Sequence, residues 1–486
     1  MISLSRLIAY WAKQQGERIA LRHESKTLTW NAFEARTNRL ARAYAQLGVC
    51  QDSFVTVALP NGLEFFEVCF AIWKLGATPA PVSARLPAFE RDQIVTLAAP
   101  ALVVGAPIPE PDSPVAGIRH LAAGFEPDPS LSDEPLPEAT ATSLKVMTSG
   151  GSTGRPKLIV SALPSAVDPE QEILEFPRMG SVLIPGPLYH NGPFLWAMYG
   201  LFRGCQVTVT TRFDAQGTLA LIESERVNLV YLVPTMMQRV WNLPDEQRLA
   251  HDLSSLSVLW HLAAPCPPWL KEAYIDWLGA DVIWELYGGT EGQGRTVING
   301  REWLDHRGSV GRPVPGCEFV IFDDDGGPCP PGQVGELYLR PETGQGSTYR
   351  YIGAEPRERE GGWESLGDLG WMDEDGYLYL SDRLTDMVIS GGANIYPAEV
   401  EAAIDACPGV RSSAVIGLPH EDLGQQIHAI VDCPDGGVDE PVLLEFLRSR
   451  LVTYKLPRSV EFVTEPLRDD AGKVRRKALR EARLKK

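Results

Sequence analysis

One segment constrains this chain more than any other: Thr148-Ser149-Gly150-Gly151-Ser152-Thr153-Gly154-Arg155-Pro156-Lys157, three glycines and several hydroxyls closed by a lysine. Glycine lets the backbone approach an anion and turn its N–H groups toward it. Ser149, Ser152 and Thr153 add donors, and Lys157 adds positive charge. Residues 144–147 and 158–160 read as strands on either side, so the segment reads as a strand–loop–strand built to hold phosphate. Gly150 to Gly154 also spells G-x-S-x-G, but a nucleophile elbow needs a helix after its serine, and here Pro156 and a second strand pattern follow. A Walker A loop fails too, because Arg-Pro separates Gly154 from Lys157 and Leu158 replaces the hydroxyl. Taken alone, the loop leaves open a flexible turn that binds nothing.

At roughly 150 residues per domain, 486 residues imply about three folding units. A net charge of −18 argues against nucleic-acid binding, which needs basic surface, but permits a nucleotide in a locally positive loop. Eight cysteines without a C-x-x-C pair fit free thiols in a reducing cytoplasm. The N-terminus lacks a signal-peptide core. The most apolar run, 68–82, contains Lys74 and is too short to span a bilayer; it reads as a buried helix and strand.

Helix and strand patterns alternate over residues 5–75 and again over 181–300, which implies an α/β layer fold. Residues 107–139, rich in proline and acidic residues, read as a surface excursion. From 308 to 380 short β runs are split by Gly, Pro and Asp, which predicts a small barrel or sandwich. A helix opens at Pro397, and the last hundred or so residues fit a compact α+β module.

Three further motifs admit two readings each. In Tyr287-Gly288-Gly289-Thr290-Glu291-Gly292, the tyrosine can stack on a base, Thr290 touch a phosphate and Glu291 hold Mg²⁺; equally, the segment can be a strand end with Thr290 capping a helix. In Gly367-Asp368-Leu369-Gly370 the aspartate can accept from two ribose hydroxyls or make an Asx turn. Asp470-Ala471-Gly472-Lys473-Val474 places one lysine on a polar turn near the C-terminus.

In this order, and across nearly the whole chain, these segments resemble the adenylate-forming superfamily of acyl-CoA synthetases, peptide-synthetase adenylation domains and firefly-type luciferases. The resemblance implies two α/β subdomains plus a small β-barrel over residues 1–383, then a small mobile α+β domain over 384–486 that carries the catalytic lysine. It implies ATP, Mg²⁺ and CoA as the reacting partners of a carboxylic acid. Residues 148 to 157 (Thr148, Ser149, Gly150, Gly151, Ser152, Thr153, Gly154 and Lys157) would hold the β- and γ-phosphates. Tyr287 would line the adenine, with Ala264 and its neighbours Ala263 and Pro265 on the other side. Thr290 would contact the α-phosphate, Glu291 bind Mg²⁺, Asp368 hold the ribose with Arg383 nearby, and Lys473 serve adenylation. Gly391 and Gly392 would line the thiol channel. His190, in Pro187-Leu188-Tyr189-His190-Asn191-Gly192-Pro193, would gate the acyl site, with a satisfied loop histidine as the alternative.

Two departures stand out. The phosphate loop carries an extra glycine relative to the commoner Ser-Gly-Thr-Thr-Gly, and Thr385 occupies the usual hinge position, followed by Asp386. The acyl pocket should draw on Phe194, Trp196, Ala197, Met198, Val233, Met236, His261 and the Gly288-Gly289 floor, although Trp196 and Met198 also suit ordinary core. That apolar set implies a bulky hydrophobic acid. With no carrier domain after residue 486, a stand-alone ligase using CoA is favoured. The alternatives are an acyl-AMP ligase loading a separate carrier protein, a luciferase-like oxygenase and a non-catalytic nucleotide-binding homologue. No nucleic acid or membrane span is expected, and a homodimer is compatible with the sequence.

Overall fold

A computed structural model describes residues 1–150, 156–383, 386–390, 393–420, 423–434, 437–469 and 472–484, with Ser149, Gly150, Asp382, Arg383, Ala393 and Asn394 described by backbone alone. Gly151, Ser152, Thr153, Gly154, Thr385, Gly391 and Gly392 lie outside the described residues.

The chain is a mixed α/β protein with a large N-terminal part and a small C-terminal domain. A nine-stranded sheet dominates the large part. Its strands Ser181–Ile184, Gln206–Val209, Leu229–Leu232, Val258–His261 and Ile283–Gly288 run parallel, as the alternation of strand and helix patterns requires. Leu229–Leu232 and Val258–His261 are buried at every position, as strands covered on both faces must be. A second, four-stranded parallel sheet is built from Thr78–Pro81, Phe54–Val57, Leu102–Val104 and Arg119–Leu121. The last of these adds a short strand to the segment expected as a surface excursion. The run 68–82 is the buried helix Leu63–Lys74 and the strand Thr78–Pro81. Lys74 is buried there beside Glu34, at 2.8 Å.

The β-rich segment expected as a small barrel is a five-stranded antiparallel sheet centred on the ten-residue strand Trp363–Met372. Its last strand, Leu378–Arg383, is followed by Val388–Ser390, which belongs to the sheet of the C-terminal domain. That domain has its own apolar core, including Ile395, Val400, Ile404, Val415 and Leu443. Pro397 opens the helix Pro397–Asp405 at its first turn.

Two of the alternative readings fail on backbone geometry. No helix begins at Thr290; residues 290 and 291 form a turn, and the chain then enters the strand Arg295–Asn299, so Thr290 caps nothing. Asp368 is not in an Asx turn, because it sits inside the strand Trp363–Met372, opposite Arg383.

Candidate active site

The strands Val146–Gly150 and Pro156–Ser161, on either side of the glycine segment, pair antiparallel, with Ser149 opposite Lys157. A strand after the loop excludes the hydrolase elbow, which needs a helix there. The strand Tyr349–Ile352 adds to the far edge of the hairpin and sets Tyr351 opposite Ile159. This register gathers a charged cluster. Lys157 Nζ lies 3.5 Å from Glu291 Oε1 and 3.9 Å from the centroid of the Tyr351 ring, while the Tyr351 hydroxyl donates to the same carboxylate oxygen at 2.6 Å. Glu291 is buried. Behind it Lys145 is also buried; desolvation pushes its ammonium down to about 8, and the Glu291 charge partly offsets this.

Tyr287 ends the parallel strand Ile283–Gly288, and its hydroxyl donates to Asp368 Oδ2 at 2.6 Å. Phenol and carboxylate thereby face one spot from two different sheets. Gly288 and Gly289 follow at once; a side chain on Gly289 would press on Leu366 and on the Glu291 carboxylate. Across the cleft, Ala263 holds φ +76°, a left-handed conformation that costs a non-glycine residue roughly 1–2 kcal/mol. It turns Ala264 and Pro265 onto the cleft wall. Strain of this kind collects at binding turns.

The side of the cleft expected to take the acyl group is shaped by the helix Asn191–Phe202, whose N-cap is His190. Helical spacing splits its residues between two faces. Gly192, Trp196 and Tyr199 line the cleft, together with His190 itself. Phe194, Ala197 and Met198 were expected in the pocket but turn into the core, where the Phe194 ring packs 6.2 Å from Phe65 and 6.3 Å from Trp73. Val233, Met236, Gly288 and Gly289 do line the cleft. His261 lies fully buried beneath its wall, 3.9 Å from a Glu285 carboxylate that Lys271 engages at 2.6 Å. Burial pushes the His261 imidazole down to about 4, so it is neutral at ordinary pH.

The C-terminal domain closes the cleft. Its turn is held by the Lys473 N–H donating to Asp469 Oδ1 at 2.9 Å. A Cβ built on Gly472 would stand 2.4 Å from Thr235 Oγ1 and 3.4 Å from Val233 Cγ2, so this turn lies directly on the large part. Gln238 Nε2 also donates across the boundary to the Asp405 carbonyl at 3.4 Å. Asp386 pairs with Arg476 at 2.9 Å, and Arg476 with Glu401 at 2.7 Å. Thr148, Lys157, His190, Trp196, Val233, Ala264, Tyr287, Thr290, Glu291, Asp368 and Lys473 all border one cleft of about 1760 Å³. Arg383 is placed by its backbone register opposite Asp368.

Among the described residues, no three His, Cys, Asp or Glu side chains are placed to hold a metal ion by themselves. A single buried carboxylate beside the Val146–Gly150/Pro156–Ser161 pair suits Mg²⁺, which is typically held by one or two carboxylates together with phosphate oxygens and water. Sequence reasoning missed Lys145, Tyr351 and the Lys271–Glu285 pair. A lysine inside the apolar run Leu144-Lys145-Val146-Met147 was a readable signal; Tyr351 gave none, because only long-range pairing brings it to Glu291.

A large cleft on an α/β scaffold, closed by a separate lysine-bearing domain, is the arrangement of an adenylate-forming enzyme. The chain belongs to the AMP-binding enzyme family: residues 8–349 match its family model, and residues 399–473 match that of the AMP-binding enzyme C-terminal domain. It is 33% identical over 475 residues to feruloyl-CoA synthase of an Amycolatopsis species, covering 95% of each chain. It is 31% identical over 473 residues to the long-chain-fatty-acid–CoA ligase FadD13 of Mycobacterium tuberculosis, covering 93% of each. In fold it matches the o-succinylbenzoate CoA synthetase MenE of Bacillus subtilis in complex with an acyl-adenylate, with a TM-score of 0.82, 23% identity, and 98% and 97% of the two chains covered.

Proposed function

We propose that this AMP-forming acyl-CoA ligase converts a bulky, largely apolar carboxylic acid to its acyl-adenylate and passes the acyl group to CoA, with residues 384–486 moving between the two steps. One observation carries the reading: the Gly472-Lys473 turn of the small domain seats on Thr235 and Val233 at the rim of the cleft that Tyr287, Asp368, Lys157 and Glu291 share.

The chemistry demands this convergence. A carboxylate and a phosphate are both anions; two unit charges 4 Å apart repel by about 1 kcal/mol in water and by more in a drier site. Lys157 and the hairpin N–H groups bind the β- and γ-phosphates. Tyr287 and Asp368 orient adenosine, the carboxylate accepting from the ribose hydroxyls. Thr290 contacts the α-phosphate. Glu291 holds Mg²⁺, which when bound offsets charge on the triphosphate. The Lys473 ammonium bridges the acid and the α-phosphate as they meet and stabilises the charge that develops. Once AMP is in place as leaving group, Lys473 has no further task, and rotation of its domain admits the thiol. His190, at the N-terminus of the pocket helix, borders the path between acid and thiol. The acyl side of the cleft is lined chiefly by aromatic and aliphatic side chains.

Eight described cysteines, all free, suit a reducing compartment such as the cytoplasm, and no helix among the described residues is long and apolar enough to cross a membrane. The activity test is acid-dependent exchange of pyrophosphate into ATP, followed by AMP release that requires CoA. Exchange without any response to CoA would instead identify a ligase that loads a carrier protein. Nucleotide binding without exchange would remove the catalytic reading altogether.

A further inference from the structure

We infer that Tyr351 is a positioning residue for the phosphate end of the cleft: its hydroxyl aims the Glu291 carboxylate and its ring face holds the Lys157 ammonium, so one side chain sets the metal ligand and the phosphate cation together. This rests on the ligase reading above and deepens it, by assigning what keeps the two charged groups of that site in register.

Three segments far apart in the chain meet at this ring. Tyr351 comes from the strand Tyr349–Ile352, Lys157 from Pro156–Ser161, and Glu291 from the turn that follows Ile283–Gly288 in the nine-stranded sheet. Strand pairing sets Tyr351 opposite Ile159. Residues two apart on a strand share a face, which brings Lys157 to the same side as the tyrosine ring. Its Nζ stands 3.9 Å from the ring centroid, a cation–π contact. The phenol donates to Glu291 Oε1 at 2.6 Å. Lys157 Nζ is 3.5 Å from the same oxygen, beyond the roughly 2.7–2.9 Å of a strong charge-assisted bond. The short, directional contact to the carboxylate is therefore the phenol's.

This divides the carboxylate as a metal site requires. Both contacts fall on Oε1. Oε2 accepts no hydrogen bond among the described residues and lies beside Gly289, where a Cβ would come within 2.9 Å of it. Tyr351 and Lys157 thus occupy one oxygen and leave the other for Mg²⁺. Lys145, buried behind Glu291, attracts it by charge, but charge alone fixes no direction, whereas a hydrogen bond does.

The ring is itself held. It meets Tyr349 edge-on, with centroids 4.8 Å apart and planes at 71°. The Tyr349 hydroxyl donates to Glu364 Oε2 at 2.7 Å, and Gln293 Nε2 donates to the same oxygen at 3.0 Å. Gln293 and Glu364 are both buried. Gln293 stands two residues after Glu291, and Glu364 lies on the strand Trp363–Met372 that carries Asp368. The two tyrosines therefore tie the Glu291 turn to the phosphate strands and to the strand carrying Asp368. Partners that orient a metal ligand in this way typically contribute about 10- to 100-fold in metal affinity.

The test measures ATP binding to the full-length enzyme by calorimetry, without acid or CoA, once with Mg²⁺ and once with EDTA in its place. Tyr351→Phe keeps the ring and removes the donor. Its Kd for ATP with Mg²⁺ should rise about 10-fold, while its Kd in EDTA should stay within about 2-fold of wild type. Tyr351→Leu removes the ring as well, so binding in EDTA should also weaken, by about 5-fold. With Glu291→Gln already in place, Tyr351→Phe should reduce the advantage given by Mg²⁺ no further. Four results overturn the inference and leave the ligase reading intact: equal weakening with and without Mg²⁺ in Tyr351→Phe, no weakening in either, a full effect of Tyr351→Phe in the Glu291→Gln background, or unchanged binding in EDTA for Tyr351→Leu. Should Tyr351→Phe fail to fold, 4-fluorophenylalanine at position 351 decides in its place, because fluorine fills the space of the hydroxyl but cannot donate. Wild-type binding that ignores Mg²⁺ removes the metal role of Glu291 and this inference with it; no ATP binding at all removes the ligase reading.

Discussion

Gly472 rests on Thr235 so closely that a Cβ on the glycine would stand 2.4 Å from the threonine hydroxyl oxygen. The contact joins the lysine-bearing domain to the rim of the cleft, and Gly472 also needs its φ of +75°, which costs other residues roughly 1–2 kcal/mol. Gly472→Val should therefore disturb this docked arrangement in particular. Acid-dependent pyrophosphate exchange is expected to slow about 10-fold or more, whereas thioester formation from supplied acyl-adenylate should hold near the wild-type rate. Stopped-flow measurement of the two half-reactions separates these effects.

Asp368 accepts from Tyr287 at 2.6 Å within the cleft. A charged acceptor lost from a nucleotide site removes about 1.5–3 kcal/mol per hydrogen bond. Asp368→Ala should raise the KM for ATP about 10- to 100-fold, and Tyr287→Phe should raise it less. Steady-state kinetics with ATP varied at saturating acid check this; unchanged KM values in both variants would detach the pair from nucleotide binding.

Glu291 is contacted from two sides, by Lys157 at 3.5 Å and by the Tyr351 hydroxyl at 2.6 Å. Glu291→Gln keeps its volume and removes the charge. The Mg²⁺ concentration giving half-maximal adenylation should rise about 10-fold, in line with loss of a carboxylate ligand. A titration with Mg²⁺ at fixed ATP reads the shift directly.

His261 provides a pH signature. Its folded-state value of about 4 lies below the ordinary histidine value of 6.5, so between those limits the unfolded chain binds a proton that the folded protein refuses. Stability then rises with pH through this window and is lost as pH falls. Between about pH 7 and about pH 5 the loss from this group amounts to about 2 kcal/mol. His261→Gln should lack that component, so wild type minus variant in urea denaturation should change by this amount across the interval; a constant difference would contradict the assignment.

How much of this was legible in advance depended on the range of the interaction. The hairpin could be read because Pro156 and the apolar residues after it announce a second strand next to the first. The pocket helix was half legible: its residues were recognised, but only the observed packing shows that Trp196 turns to the cleft while Phe194, Ala197 and Met198 turn to the core. Asp368 and Thr290 resembled turn and cap residues because a short window of sequence cannot distinguish an Asx turn from a strand interior. Tyr351 reaches Glu291 through the pairing of Tyr349–Ile352 with Pro156–Ser161, and no local pattern encodes such a meeting.

The most direct test of the account is Lys473→Ala assayed in both half-reactions. Lys473 stands on a turn that the small domain presses onto the large part, and its ammonium is assigned to the first step alone. The account predicts that pyrophosphate exchange falls by two orders of magnitude or more, a size typical for loss of a charge-stabilising group, while conversion of supplied acyl-adenylate and CoA to thioester continues at close to the wild-type rate. Equal loss of both steps, or full retention of exchange, would contradict it.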